Sequence, residues 1–255
     1  MLVNDYLKTA SLRGQYFEHY PITLRAIPHY GHRFVGWEGD RKAARELFVK
    51  LTDKRTYRYH AVFEPFTHPL MDQVVINEVC PKSKKTDDWI EIYNRSEETV
   101  QLEGWVLTDL RNEFRFPFVE LLPNDYLIVC RDADKFRQTH PEAYNVIGGL
   151  GFGLNKRKET LCLYAGLGAS VDSVSYELPP LDTAFTISLL LPHLDNADTE
   201  NWEMRVGTGT PNAANPYLLN ANVRTAQSQW MQIGVATGIL LLGLLLLRLR
   251  AKGVL

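Results

Sequence analysis

The sequence predicts an all-β chain, with a small β-repeat module, a larger β-sandwich, and one C-terminal helix long enough to span a membrane. Three observations predict it. Short runs of alternating apolar and polar residues, broken by Pro, Gly and Asn-Asp turns, fill residues 2–216. The 255 residues are 45% apolar and 23% charged with 17 Gly and 13 Pro, which excludes disordered, collagen-like and disulfide-dense chains. The last 25 residues then turn almost purely apolar and end basic. A net charge of −2, from 28 basic and 30 acidic residues, gives no global case for a nucleic-acid partner. Without Arg248, Arg250 and Lys252 the remainder holds 25 basic against 30 acidic residues, a mildly acidic part joined to a membrane-like tail.

In the first module, Pro21 to Ile27 reads as a strand with Ile22, Leu24 and Ala26 on one face. His29-Tyr30-Gly31-His32 reads as a turn, Phe34 to Trp37 as the next strand, and Lys50–Lys54 and Tyr59–Glu64 as two further elements. Phe34 and Trp37 are core candidates. The segments ITLRAIP, GHRFVGWEGD and YHAVFEP together resemble the divergent internalin-B-type B repeat, a small all-β module of bacterial surface proteins.

Seven or more short strands follow, spaced as in a β-sandwich. They lie at Gln73–Val79, Trp89–Tyr93, around Trp105, at Phe114–Phe116, Tyr126–Cys130, Thr160–Tyr164 and Val171–Tyr176. In Trp89–Tyr93, Ile90 and Ile92 face one way and Trp89, Glu91 and Tyr93 the other. The motifs VVINEV, DWIEIYN, VQLEGWVLTD, LLPNDYLIVCRDADKF, GFGLNKRKETLCLY, VDSVSYE and ENWEMRVGTGTPNAANP resemble, in that order, the lamin tail domain, whose fold is immunoglobulin-like. Asn212 stands where bacterial members tend to have Gly, and Tyr176–Asp198 departs from the pattern in detail. A B repeat followed by a lamin tail domain is also the arrangement downstream of spore-coat-protein-H-type kinase domains, and no part of residues 1–255 resembles that kinase.

From Met231 to Leu247 run 17 uncharged residues, about 25 Å as a helix. Trp230 and Leu249 extend this toward the ~20 residues that cross a bilayer. Trp230 and Met231 suit one interface, while Leu247, Arg248, Arg250 and Lys252 supply a flank that stays cytoplasmic, which places residues 1–229 outside the cell membrane. The first residues, MLVNDYLKTASLRGQYF, hold no apolar signal core. Two origins account for that: a tail-anchored chain, or the last part of a longer exported precursor. The expected boundaries are 1–66 for the repeat module, 67–71 for a linker, 72–216 for the sandwich, 217–229 for a juxtamembrane linker, 230–249 for the membrane helix and 250–255 for a basic tail.

Side chains with chemistry are few. Glu78, Asp88 and Glu91 lie on neighbouring strands and their loop, where paired carboxylates serve glycoside hydrolysis or Ca²⁺ binding. Beside Lys82, Lys84 and Lys85 the simpler reading is a solvated face with surface ion pairs. Gly149-x-Gly151-x-Gly153 followed by Lys156 lacks the helix that a phosphate loop needs and reads as a turn before a hairpin. His29 and His32 sit in a turn without a third ligand, so no metal site is expected. Cys80, Cys130 and Cys162 form no CxxC pair; Cys130 and Cys162 suit buried thiols, with a bridge between them left open. Ser173 and Ser188 lack the setting of an activated nucleophile. The basic loops Lys82, Lys84, Lys85 and Lys156, Arg157, Lys158 are candidates for an anionic ligand if folding brings them together.

The expected function is therefore non-catalytic: a membrane-anchored surface module for binding and display, without a cofactor, whose ligand is a protein, a glycan or an envelope polymer. Nucleic acid is not an expected partner, since aromatic interleaving is absent. Two alternatives stand beside it: the accessory tail of a kinase or hydrolase encoded upstream, and an intracellular tail-anchored protein binding DNA or a filament.

Overall fold

A computed structural model describes residues 1–4, 6, 7, 11–29, 31–38, 46–83, 86–180, 182–220, 222, 224, 230, 231, 233, 235, 237 and 250. Met1–Ala213 form one compact unit and Ala214–Leu255 a second. The first unit begins with β1 (Leu2–Val3), β2 (Tyr6–Leu7), β3 (Pro21–Arg25), β4 (His32–Trp37), β5 (Glu46–Lys50) and β6 (Ala61–Pro65). One sheet has the order β2-β1-β3-β5, and β4 pairs with β6. Alternation in β3 turns Ile22 and Leu24 inward, onto Val3, Ala26, Phe34 and Trp37. Phe34 makes edge contacts with both Trp37 and Phe63 at 5.7 Å. The expected element at Lys50–Lys54 is instead β5 one turn earlier, because Asp53 takes the Arg55 N–H at 3.0 Å and bends the chain.

The sandwich is built from β7 (Val74–Lys82), β8 (Trp89–Asn94), β9 (Val100–Gln101), β10 (Val106–Thr108), β11 (Glu113–Arg115), β12 (Glu120–Leu121), β13 (Tyr126–Cys130), α1 (Ala133–Thr139), β14 (Val146–Ile147), β15 (Lys158–Ala165), β16 (Ala169–Glu177), β17 (Phe185–Leu189) and β18 (Trp202–Val206). Six strands in the order β14-β13-β8-β7-β17-β18 face four in the order β11-β10-β15-β16. Between them lies an apolar core that includes Ile76, Ile90, Ile92, Leu127, Leu163 and Val171. Asp132 caps α1 by accepting the N–H groups of Asp134 and Lys135. Phe136 of α1 meets Trp89 edge-on at 5.8 Å, so α1 covers part of the outer face of the six-stranded sheet.

The two β modules are in contact within the first unit. Ile27 and Leu110 pack on Val106, Cys162 and Tyr164, and the buried Tyr164 hydroxyl donates to the Pro28 carbonyl at 3.0 Å. At the linker, the His68 ring stands edge-on to Trp105 at 5.9 Å.

The expected membrane helix is corrected. Among the described residues no helix is long and apolar enough to cross a membrane. Of the anchor residues, Trp230, Met231 and Arg250 have helical backbone and are exposed, while Leu247, Arg248 and Lys252 lie outside the described residues. The described residues thus form an all-β fold with immunoglobulin-like sheets, and none of their helices is long and apolar enough to cross a membrane.

Candidate functional site

Strict alternation through VVINEV would send Glu78 into the core with Val74 and Ile76. A β-bulge prevents it. The β7–β8 register slips between Ile76 and Glu78, so Asn77 is the extra residue and Glu78 faces outward, opposite Glu91. Neither glutamate meets water: Glu78 is 1% and Glu91 0% exposed. The solvated face expected for them is overturned because residues 207–213 lie across it. Glu78 Oε2 accepts the Thr210 N–H at 2.9 Å and its hydroxyl at 3.1 Å. Glu91 Oε2 accepts the Asn212 N–H at 2.7 Å, and Oε1 accepts Asn77 Nδ2 at 2.7 Å. Burial raises the pKa of both, and the nearby Glu78 charge raises Glu91 further. A glycosidase or Ca²⁺ pair needs an open face, and here the chain itself occupies every approach. The pair acts as a lock for the closing segment.

Two residues of that segment show how tight the lock is. Gly209 has φ +80°, and a Cβ there would sit 2.7 Å from Trp89 Cζ2 and 2.8 Å from Glu78 Oε1. Asn212 has φ +54°, a left-handed conformation that Asn tolerates, which explains how it replaces the expected Gly. Its side chain also bridges to Asn145 N at 3.2 Å and to the Tyr126 carbonyl at 3.3 Å.

A further buried acid escaped the sequence reading. Asp172 Oδ2 accepts the Ile76 N–H at 2.6 Å and Asn196 Nδ2 at 2.9 Å, tying β16 to β7 across the sandwich. Burial pushes its carboxyl up to about 7. The only signal in the sequence was the acid at the centre of ASVDSVSY, a run otherwise of small, hydroxyl and apolar residues.

The open surface lies at the loop end of the sandwich. Asp88 Oδ2 accepts the Leu154 N–H at 2.7 Å, which joins the loop after β7 to the loop before β15. Asp87, Asp88, Arg131 and Phe152 line a cleft of about 190 Å³ there. Lys135 pairs with Asp87 at 3.2 Å, and the charges of Lys156 and Arg131 act on Asp88. Lys156, Arg157 and Lys158 are exposed, and Lys158 pairs with Glu177 at 2.9 Å. Of the other basic loop, Lys84 and Lys85 lie outside the described residues, as does the Lys82 side chain. The glycine run 149–153 leads through bends into β15 and into no helix.

The histidine turn gains a partner that spacing did not reveal. His29, His32 and His60 line one cavity of about 410 Å³ beside β6, with His60 Nδ1 3.0 Å from Glu38 Oε2. Among the described residues no three His, Cys, Asp or Glu are grouped to hold a metal ion. Cys80, Cys130 and Cys162 are all buried. Cys80 and Cys130 flank Trp89 on adjacent strands, Cys162 belongs to a separate cluster, and burial pushes Cys130 and Cys162 up to about 11.

Residues 70–177 match the Lamin Tail Domain. The lamin tail domain is a non-catalytic, immunoglobulin-like module for binding and display. The match begins at the linker and ends with β16, so it takes in the bulge, the glutamate pair and Asp172, while β17, β18 and the closing segment complete the six-stranded sheet beyond it. It covers none of residues 1–66, and the repeat-type and kinase-associated resemblances gain no support from it. No curated protein matches the chain.

Proposed function

We propose that this chain is a non-enzymatic binding module whose lamin tail domain holds an anionic ligand at the loop end of the sandwich. The ligand is an acidic protein surface or a charged glycan or envelope polymer. The observation that carries this reading is the Asp88–Leu154 hydrogen bond, which brings the two loops together, with Lys156 and Arg157 exposed and the charges of Lys156 and Arg131 both acting on Asp88. The carboxylates that chemistry would need support the non-enzymatic part, since Glu78, Glu91 and Asp172 are sealed by hydrogen bonds from the chain itself.

Heparin, used as a polyanionic probe, tests the proposal. The protein is expected to be retained on immobilised heparin at low salt and released as salt screens the contact. Lys156→Glu with Arg157→Glu should lower affinity about tenfold, since each exposed charge contributes ~0.2–1 kcal/mol and reversal adds repulsion. Unchanged retention of the double variant would remove the loop end as the site.

A further inference from the structure

Among the described residues the last strand of the first module's four-stranded sheet, β5, pairs on one side alone, and its sequence is self-complementary. β5 stands last in the order β2-β1-β3-β5, and among the described residues nothing pairs with its far side. Its backbone direction follows from its neighbour. Thr23, opposite Phe48, donates its N–H to Asn4 Oδ1 at 2.8 Å and accepts the Asn4 N–H at 2.9 Å. Both backbone groups of Thr23 therefore point toward β1, and Thr23–Phe48 is a non-hydrogen-bonded pair. By alternation, the N–H and C=O groups of Glu46, Phe48 and Lys50 point outward from the edge. Leu47 and Val49 pack on the module core, so Glu46, Phe48 and Lys50 share the opposite face, with Phe48 75% exposed.

We propose that β5 pairs antiparallel with β5 of a second copy of this chain, about a two-fold axis through Phe48. Read in either direction, ELFVK keeps an aromatic at its centre and sets opposite charges against each other. Phe48 then meets the partner's Phe48, and Glu46 and Lys50 meet the partner's Lys50 and Glu46. The outward groups supply up to about six main-chain hydrogen bonds, and Leu47 beside the partner's Val49 joins the two module cores. Glu46 is already fixed at the edge by Arg25 at 3.1 Å. A lysine on an edge strand usually discourages pairing. Here a chain with a carboxylate four residues before its own lysine satisfies it, and that selects a second copy over an unrelated strand. Five residues bury far less than the ~1,000 Å² of a durable interface, so the association is weak and concentration-dependent.

Sedimentation velocity of the full chain over a concentration series tests this, with the mean mass expected to rise toward a dimer. Lys50→Glu sets four carboxylates along the seam and should weaken association about tenfold or more. Phe48→Cys tests the register. A hydrogen-bonded antiparallel pair holds its Cα atoms ~5.5 Å apart, within disulfide reach, so mild oxidation should give a covalent dimer. The native thiols are all buried and do not compete. Tyr6→Cys, at a position 72% exposed on β2, is the control for random collision. Association of Lys50→Glu equal to wild type, or cross-linking of Phe48→Cys no faster than Tyr6→Cys, would overturn the proposal.

Discussion

Replacing Asp172 by Asn should flatten the dependence of stability on pH between about 4 and 7. Burial raises the folded-state pKa of Asp172 from 3.8 to about 7, so the folded protein holds this proton more tightly than the unfolded chain. The associated stabilisation is complete below about pH 4 and is lost as pH climbs to about 7. Three units correspond to ~4 kcal/mol at 1.36 kcal/mol each. For a unit of this size that is a fall in melting temperature on the order of 10 °C. The Asp172→Asn side chain keeps an acceptor for Ile76 N–H and Asn196 Nδ2 but turns its amide toward the Ser173 N–H, at a cost of ~1 kcal/mol. The variant should be the less stable protein at pH 4 and equal or better at pH 8. Thermal unfolding followed by circular dichroism from pH 4 to 8 measures both curves. Glu78 and Glu91 are raised in the same direction, so a shallower slope remains in the variant. Parallel curves for the two proteins would mean that Asp172 is ionised in the fold, and the reasoning from burial would fail.

Two further variants probe the closing segment and the seam between the β modules. Gly209→Ala should destabilise by about 3 kcal/mol, since its Cβ meets Trp89 and Glu78 at under 3 Å and its φ is +80°; a melting temperature within 2 °C of wild type (~1 kcal/mol or less) would show that the segment does not dock as described. Tyr164→Phe removes the donor to Pro28 and should cost about 2 kcal/mol. With the seam loosened, a thiol reagent should label Cys162, 8% exposed beside it, faster than in wild type, while Cys80 stays protected.

Local pattern revealed most of the strands and little of the site. Ile90 and Ile92 point into the core as alternation requires. The same alternation gave Glu91 an outward position correctly and a solvated one wrongly, because its cover comes from Asn212, 121 residues further on. No local window contains that partner. Glu78 needed the bulge as well, and a bulge leaves no mark in the polar–apolar pattern of VVINEV beyond the glutamate that the core must reject. β17 alternates Phe, Thr, Ile, Ser and Leu, but lies in the stretch where the family pattern gave least guidance, and both of its faces are buried. α1 is seven residues long, too short for a helical period to stand out. The tail reading rested on apolar composition, and among the described residues no helix is long and apolar enough to cross a membrane.

The docking of residues 207–213 also sets an order of events in synthesis. Glu78 leaves the ribosome 132 residues before Thr210, which donates it two hydrogen bonds. At 5–20 residues per second that is a delay of roughly ten seconds. Through that interval the centre of β7 and β8 carries two acids with an unfinished cover, and the outer face stays wet. A nascent chain cut before Gly207 would keep its apolar inner strands and lack the Thr210 and Asn212 donors that let the outer face dry. The glutamate pair therefore distinguishes a finished sandwich, whose outer face is dry, from an unfinished one, whose outer face stays open to water.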